Sequence, residues 1–245
     1  MNLQTNAILG ALASLETYLD PALRDPAALD WIGRRLREER LVAIRDAFQP
    51  AFAERMHRCL DESNDWRAHE KFEEHFHYHH HNLYEPQAFP SDLAWCQGIF
   101  DSPATKDFAA ELTGRDCGGP LAFSASWYLP GDYSLPHTDA VSHDQSAKRQ
   151  VAFVWHLSPG WRSEWGGALF WCPRNLYLAP AFNTLVLFNV SPDSYHFVTP
   201  VSPYAGAKRL AINGWWIGAP PDRTGEPGAT QPERLALDGP VVEAY

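Results

Sequence analysis

The sequence predicts a mainly β fold with helices in its N-terminal part, an α+β arrangement. Two textures carry this expectation. Up to about residue 120, apolar residues recur at helical spacing between breaks marked by Pro and Asp. From Leu121 onward, short runs of β-branched and aromatic residues are punctuated by Pro and Gly. The 10 Trp and 20 Pro point the same way, since large aromatics suit a pleated, half-buried surface and Pro fixes turns.

Taken in order, Ile8, Leu9, Leu12, Leu15, Tyr18 and Leu19 fall at helical spacing and predict an amphipathic helix that Asp20-Pro21 ends. A second helix fits Pro26 to Glu39, with Pro26 in its first turn. Leu41 to Ile44 predict a short strand, and Pro50 to Glu62 a helix. Two more helices fit Ser91–Phe100 and Pro103–Leu112, the latter with Ser102 as N-cap. Strands follow over 121–128, 150–157, 168–172, 184–189, 195–201 and 209–217, the spacing of an all-β sandwich or barrel. Residues 219–245 carry Pro220, Pro221, Pro227, Pro232 and Pro240 and read as a covering tail or a mobile end. No linker separates these parts, so a helical support (1–120), a β core (121–218) and a tail (219–245) are expected as one folding unit.

Composition removes several functional classes. The formal charge is −10 and Lys and Arg form no run, which argues against a nucleic-acid binder. No stretch approaches the ~18 apolar residues that cross a bilayer, and Met1 to Glu16 lacks the basic start of a secretory signal. The four cysteines, Cys59, Cys96, Cys117 and Cys172, form no C-x-x-C pair and fit a reducing compartment, so a cytoplasmic location is expected.

The chemistry concentrates in Tyr128-Leu-Pro-Gly-Asp-Tyr-Ser-Leu-Pro-His137-Thr-Asp139. Residues two apart on extended chain project to one side, so one imidazole and one carboxylate can meet a single metal. Alone, this pair is as well read as a solvated turn. His196, on a later strand, supplies a third ligand and completes a two-His, one-carboxylate face of the kind that non-haem Fe(II) oxygenases use. Zn and Mn share that ligand chemistry. Arg209 tips the choice. Strand alternation sets Arg209, Ala211, Asn213 and Trp215 on one face, and a buried guanidinium beside a metal requires an anionic partner. A dicarboxylate that chelates iron at one end and meets Arg209 at the other satisfies both demands.

The ordered set of motifs, Y-x-x-G-x-x-x-x-x-H-x-D, then a G-G-x-L strand, then H, then R-L-x-I-x-x-W, resembles the 2-oxoglutarate/Fe(II) dioxygenases of the prolyl 4-hydroxylase-like group over about residues 121–218. The resemblance implies a double-stranded β-helix, or jelly roll, supported by N-terminal helices. It implies iron ligands at His137, Asp139 and His196, with Arg209 on the distal carboxylate of 2-oxoglutarate and dioxygen as second cosubstrate. Tyr128 matches a tyrosine lining the cosubstrate pocket, and Gly166-Gly167-Ala168-Leu169 the strand behind the site. The His196-to-Arg209 spacing is longer than the group's, which implies a longer loop at Pro200–Ala207. Lys208 is the alternative carboxylate contact, on the wrong strand face if Arg209 points inward. The N-terminal helices and His75-Phe-His77-Tyr are also similar to fungal-type prolyl hydroxylases that act on a ribosomal protein.

Other residues carry two readings each. His75, His77, His79 and His81 would share a strand face, as a second metal site, a lid that meets substrate, or a solvated edge. His156 and Asn213 read as polar contacts in the cosubstrate pocket or as internally hydrogen-bonded residues, and Arg149 as a substrate contact or a loop cap. The expected reaction is hydroxylation of an unactivated carbon, foremost a prolyl residue of a protein or peptide. A free amino acid or other small metabolite is the alternative substrate, and a jelly-roll metal or ligand sensor without turnover the non-enzymatic alternative.

Overall fold

Trp155 marks the centre of the molecule: it is wholly buried, its ring 4.3 Å from Phe48 and 5.0 Å from Phe52, and its indole N–H donates to Asn183. It lies on an interior strand of a large sheet, each face of which is covered by a different layer. The computed structural model describes residues 13–73, 76–140, 148–220 and 231–245.

The helices are α1 (Pro26–Arg37), α2 (Pro50–Glu62), α3 (Ser91–Phe100) and α4 (Pro103–Thr113). Three of the four begin with Pro in the first turn, where its missing N–H costs nothing. Ser102 caps α4 through the Thr105 amide, and Gly114 ends it in the left-handed conformation. The strands are β1 (Val42–Arg45), β2 (Arg67–Glu73), β3 (Phe76–Leu83), β4 (Leu121–Tyr128), β5 (Tyr133–Ser134), β6 (Lys148–His156) and β7 (Leu169–Trp171). There follow β8 (Leu176–Leu178), β9 (Thr184–Asn189), β10 (His196–Val198), β11 (Arg209–Gly218), β12 (Glu233–Ala236) and β13 (Val241–Ala244).

The large sheet runs β12-β13-β1-β9-β6-β11-β4-β3-β2, with β5 paired to β3; β10-β7-β8 form a small sheet. Alternation sorts the side chains. Ile44, Phe153, Trp155, Leu185, Leu187, Leu210, Ile212 and Trp216 meet the helices through Leu36, Phe52, Met56 and Phe100. Ala152, Val186 and Phe188 point the other way and meet Leu169, Trp171 and Leu178 of the small sheet. Helices, large sheet and small sheet therefore stack as three layers, and the jelly-roll core lies between the two sheets. No helix among the described residues is long and apolar enough to cross a membrane.

Three expectations change. The N-terminal helix is replaced, within the described residues, by short 3-10 turns at Leu15–Tyr18 and Pro21–Arg24; Ile8, Leu9 and Leu12 lie outside them. Asp20 explains the break, since its carboxylate accepts from the Ala22 amide and restarts the chain at Pro21. Residues 231–245 are not a loose tail: β12 and β13 form a hairpin on β1, pinned where Glu233 accepts from Arg35 and the buried Arg40. Finally, β2 and β3 extend the large sheet beyond β4 as a hairpin that the sequence only hinted at.

Candidate active site

A cleft of about 840 Å³ opens between the sheets, lined by residues of β3, β4, β6, β10 and β11. His137, Asp139 and His196 meet in it. The chain turns out of β4 at Gly131, runs through β5, and is bridged to β10 by paired main-chain bonds: His137 N–H to the His196 carbonyl at 3.0 Å and the reverse at 2.9 Å. That bridge sets the two rings 4.5 Å apart.

Each imidazole is oriented by its own chain. Nδ1–H of His137 donates to the Leu135 carbonyl at 2.8 Å, and Nδ1–H of His196 to the Ser194 carbonyl at 3.0 Å. Both Nε2 lone pairs are thereby left facing Asp139, at 3.9 and 3.7 Å from its carboxylate oxygens. Burial, reinforced by His196, depresses the His137 pKa to about 4, so that ring is neutral at physiological pH. Asp139 is buried, with Oδ2 accepting from Trp215 Nε1 at 2.9 Å and Oδ1 lying 3.4 Å from Arg149. Two imidazoles and one carboxylate, their ligand atoms all within 4.8 Å of one another, are a donor set for a divalent cation. Among the described residues this is the one such group.

Arg209 begins β11 opposite Tyr128 and is 2% exposed. Its Nε donates to the Gly167 carbonyl at 3.0 Å, and its guanidinium carbon stands 4.4 Å from the centre of the Tyr128 ring. Burial pulls its pKa down to about 10, with only Tyr128 opposing; no carboxylate pairs with it among the described residues. A buried cation without a counter-charge calls for an anion from outside. The Gly166-Gly167 turn makes room for it. Both glycines have positive φ, and a Cβ on Gly167 would stand 3.2 Å from Arg209 Cγ and 3.1 Å from Val201.

The remaining expectations divide. Tyr128 lines the cleft, its hydroxyl pKa raised to about 12 by burial. Asn213 also lines it, donating to Ser124 at 3.1 Å and leaving its carbonyl oxygen unpartnered. His156 is fully buried, on the face of its strand that Ala152 and Val154 share; among the described residues neither ring nitrogen has a hydrogen-bond partner, and burial, then Arg209, pushes its pKa well down. Lys208 turns outward to Asp61 and the Trp127 ring and takes no part. His75 lies outside the described residues. His77, His79 and His81 share the outer face of β3, gather no metal-ligand group, and contact Tyr133 and Asp132 instead. The cleft face of β3 belongs to Phe76, Tyr78, His80 and Asn82, which sequence reasoning missed because attention fell on the intervening histidines.

Fold and site together define a jelly-roll protein in which a two-His, one-carboxylate donor set able to hold a metal lies beside a buried arginine. Residues 123–217 match the model of the 2OG-Fe(II) oxygenase superfamily, a domain class whose cofactor is Fe(II) and whose cosubstrates are 2-oxoglutarate and dioxygen. The chain is 36% identical over 113 residues to the Drosophila melanogaster prolyl 3-hydroxylase sudestada1, covering 40% of this chain and 20% of that protein. It is 32% identical over 125 residues to mouse prolyl 3-hydroxylase OGFOD1, covering 46% and 22%. The matched part is thus about a fifth of these relatives' length. Among solved structures, a Pseudomonas putida prolyl-4-hydroxylase shares the fold with a TM-score of 0.57 at 20% identity, covering 78% of this chain and 99% of that one. A Trichoplax adhaerens prolyl hydroxylase, solved with a hypoxia inducible factor peptide, gives 0.56 at 17% identity, covering 78% and 90%.

Proposed function

We propose that the chain is an Fe(II)- and 2-oxoglutarate-dependent dioxygenase that hydroxylates a prolyl residue of a protein or peptide. The observation that carries the reading is Arg209, a buried cation with no counter-charge among the described residues, in the same cleft as the His137, Asp139 and His196 donor set. In this reading those three residues hold the iron and Arg209 receives the distal carboxylate of 2-oxoglutarate, with the Tyr128 ring against its guanidinium. His156 and Asn213, each with unpartnered polar atoms, complete the cosubstrate pocket. Bound iron supplies the activation of dioxygen, coupled to decarboxylation of 2-oxoglutarate to succinate. The protein fixes the tautomers of both imidazoles, orients Asp139 and shields the reacting centre.

The shape of the cleft favours a peptide over a free metabolite. It runs from the donor set along β3 to Asn82 and across to His69 and Lys71 of β2. Arg149, a cation beside the donor set, is already engaged by Asp139 and by the Trp215 ring, 3.9 Å away. Prolyl 3-hydroxylases among the relatives support the same choice of substrate. The four cysteines are unpaired, which supports a cytoplasmic location. The test is to incubate the protein with Fe(II), 2-oxoglutarate and a library of proline-containing peptides. Succinate release coupled to the gain of one oxygen atom on proline is expected. Equal succinate release with free amino acids and none with peptides would assign the metabolite reading instead.

A further inference from the structure

One strand contacts the candidate metal centre from its cleft face and the loop leading to that centre from its outer face. On the cleft side of β3, Phe76 lies 4.6 Å from the His137 ring. On the outer side, His79 Nδ1 reaches Asp132 Oδ1 at 2.6 Å and His81 Nδ1 reaches Oδ2 at 3.4 Å. Asp132 is 3% exposed, and its carboxylate also accepts from the Leu129 amide at 2.8 Å. The turn at Gly131 is closed by that bond together with the Asp132 amide, which donates to the Leu129 carbonyl at 2.9 Å. Two imidazoles from another strand are not required for a turn, so they serve the attachment of this loop to β3.

We propose that Asp132, gripped by His79 and His81, is a positioning residue for the metal centre, locking onto β3 the loop that presents His137. The inference rests on the metal-site reading above. The path is short and continuous. Beyond Asp132, Tyr133 and Ser134 pair with His79 and Tyr78. The Leu135 amide then donates to the His77 carbonyl at 2.8 Å, while the Leu135 carbonyl accepts His137 Nδ1–H at the same distance. The peptide that sets the His137 tautomer is therefore itself held by β3. On the opposite side, Ser134 Oγ accepts from the Val198 amide at 2.8 Å, which ties the loop to the strand carrying His196. The direct hydrogen-bond partner of a ligand, here the Leu135 carbonyl, commonly governs metal affinity by 10–100-fold, and Asp132 acts through the segment that carries it.

The test is a titration of the metal-free protein with Co(II), a spectroscopic stand-in for Fe(II), alongside the thermal midpoint of the metal-free form. The double variant His79→Ala/His81→Ala is expected to bind Co(II) roughly tenfold more weakly and to shift the Co(II) visible bands, with the metal-free midpoint close to that of the unaltered protein. A purely structural role would move the midpoint and leave affinity and bands alone, which overturns the proposal. Should the double variant fail to fold, Asp132→Asn decides, because it keeps shape and an acceptor for Leu129: unchanged Co(II) affinity there overturns the proposal too. If the unaltered protein binds no Co(II), the metal-site reading itself falls. Tight binding by the unaltered protein and both variants removes the latch alone.

Discussion

Trp215 donates its indole N–H to Asp139 Oδ2 at 2.9 Å, joining two residues 76 positions apart. The bond holds a carboxylate whose oxygens lie 3.9 and 3.7 Å from the two Nε2 atoms, and Arg149 stacks on the same indole. Because β11 alternates, Trp215 and Arg209 enter the cleft from one strand face. In the proposed reading, a single ten-residue strand thus supplies both the group that orients a metal ligand and the group that receives the cosubstrate.

Trp215→Phe should keep the ring under Arg149 and remove the donor. Fe(II) affinity is expected to fall roughly tenfold, with metal-free stability changing by about 1 kcal/mol. Anaerobic calorimetric titration checks this; unchanged affinity would mean that the bond does not orient Asp139.

Arg209→Met separates the two ligands. Fe(II) binding should persist, while 2-oxoglutarate affinity falls roughly 100-fold through loss of a charge-assisted contact. The metal-free variant should be at least as stable as the unaltered protein, because a buried cation without a counter-charge has been removed. Differential scanning fluorimetry with Mn(II) reads both effects at once. A 2-oxoglutarate shift equal to that of the unaltered protein contradicts the assignment.

Gly167→Ala should disturb the same residue from behind. The added methyl meets Arg209 Cγ and the Trp161 ring at 3.2 and 3.3 Å, on a backbone of positive φ. A stability loss of about 1–3 kcal/mol is expected, together with weaker 2-oxoglutarate binding than Fe(II) binding. Urea melts and paired titrations test it; a purely global destabilisation, with both affinities intact, would detach the glycine from the site.

Much of this was legible in advance, and the misses have physical causes. Pro50–Glu62 and Ser91–Phe100 announce themselves by helical apolar spacing, and β9 by an unbroken apolar run. His137, Asp139, His196 and Arg209 are readable because strand alternation and metal chemistry constrain them together. The β2 strand is not, since Arg67–Glu73 is polar on both faces and carries no period-two signal. The β12–β13 hairpin hides among prolines, its strands only four residues each and its turn set by Gly239 at positive φ. The Trp215–Asp139 bond is invisible for another reason: nothing local marks a tryptophan as a donor to a carboxylate so distant in sequence.

Acid should destabilise the protein earlier than its carboxylates require. Burial holds His80 down at about 3, from an ordinary 6.5, and His156 well below its ordinary value. Between those values the unfolded chain binds protons that the folded chain refuses, so stability is intact above pH 6.5 and declines as pH falls below it. Each such histidine contributes roughly 1.4 kcal/mol per pH unit in that window. Urea midpoints at pH 7.5, 6.5 and 5.5 should show the decline, and His80→Gln should remove its share. A flat profile contradicts the account.

The most direct test mixes protein, Fe(II) and 2-oxoglutarate without oxygen, records the visible spectrum, then admits air and measures succinate. A weak visible charge-transfer band followed by succinate is expected for the unaltered protein and for Lys208→Ala, with both signals lost in His196→Ala and Asp139→Ala. Tight Fe(II) binding with neither band nor succinate would contradict the dioxygenase reading and leave a jelly-roll metal sensor in its place.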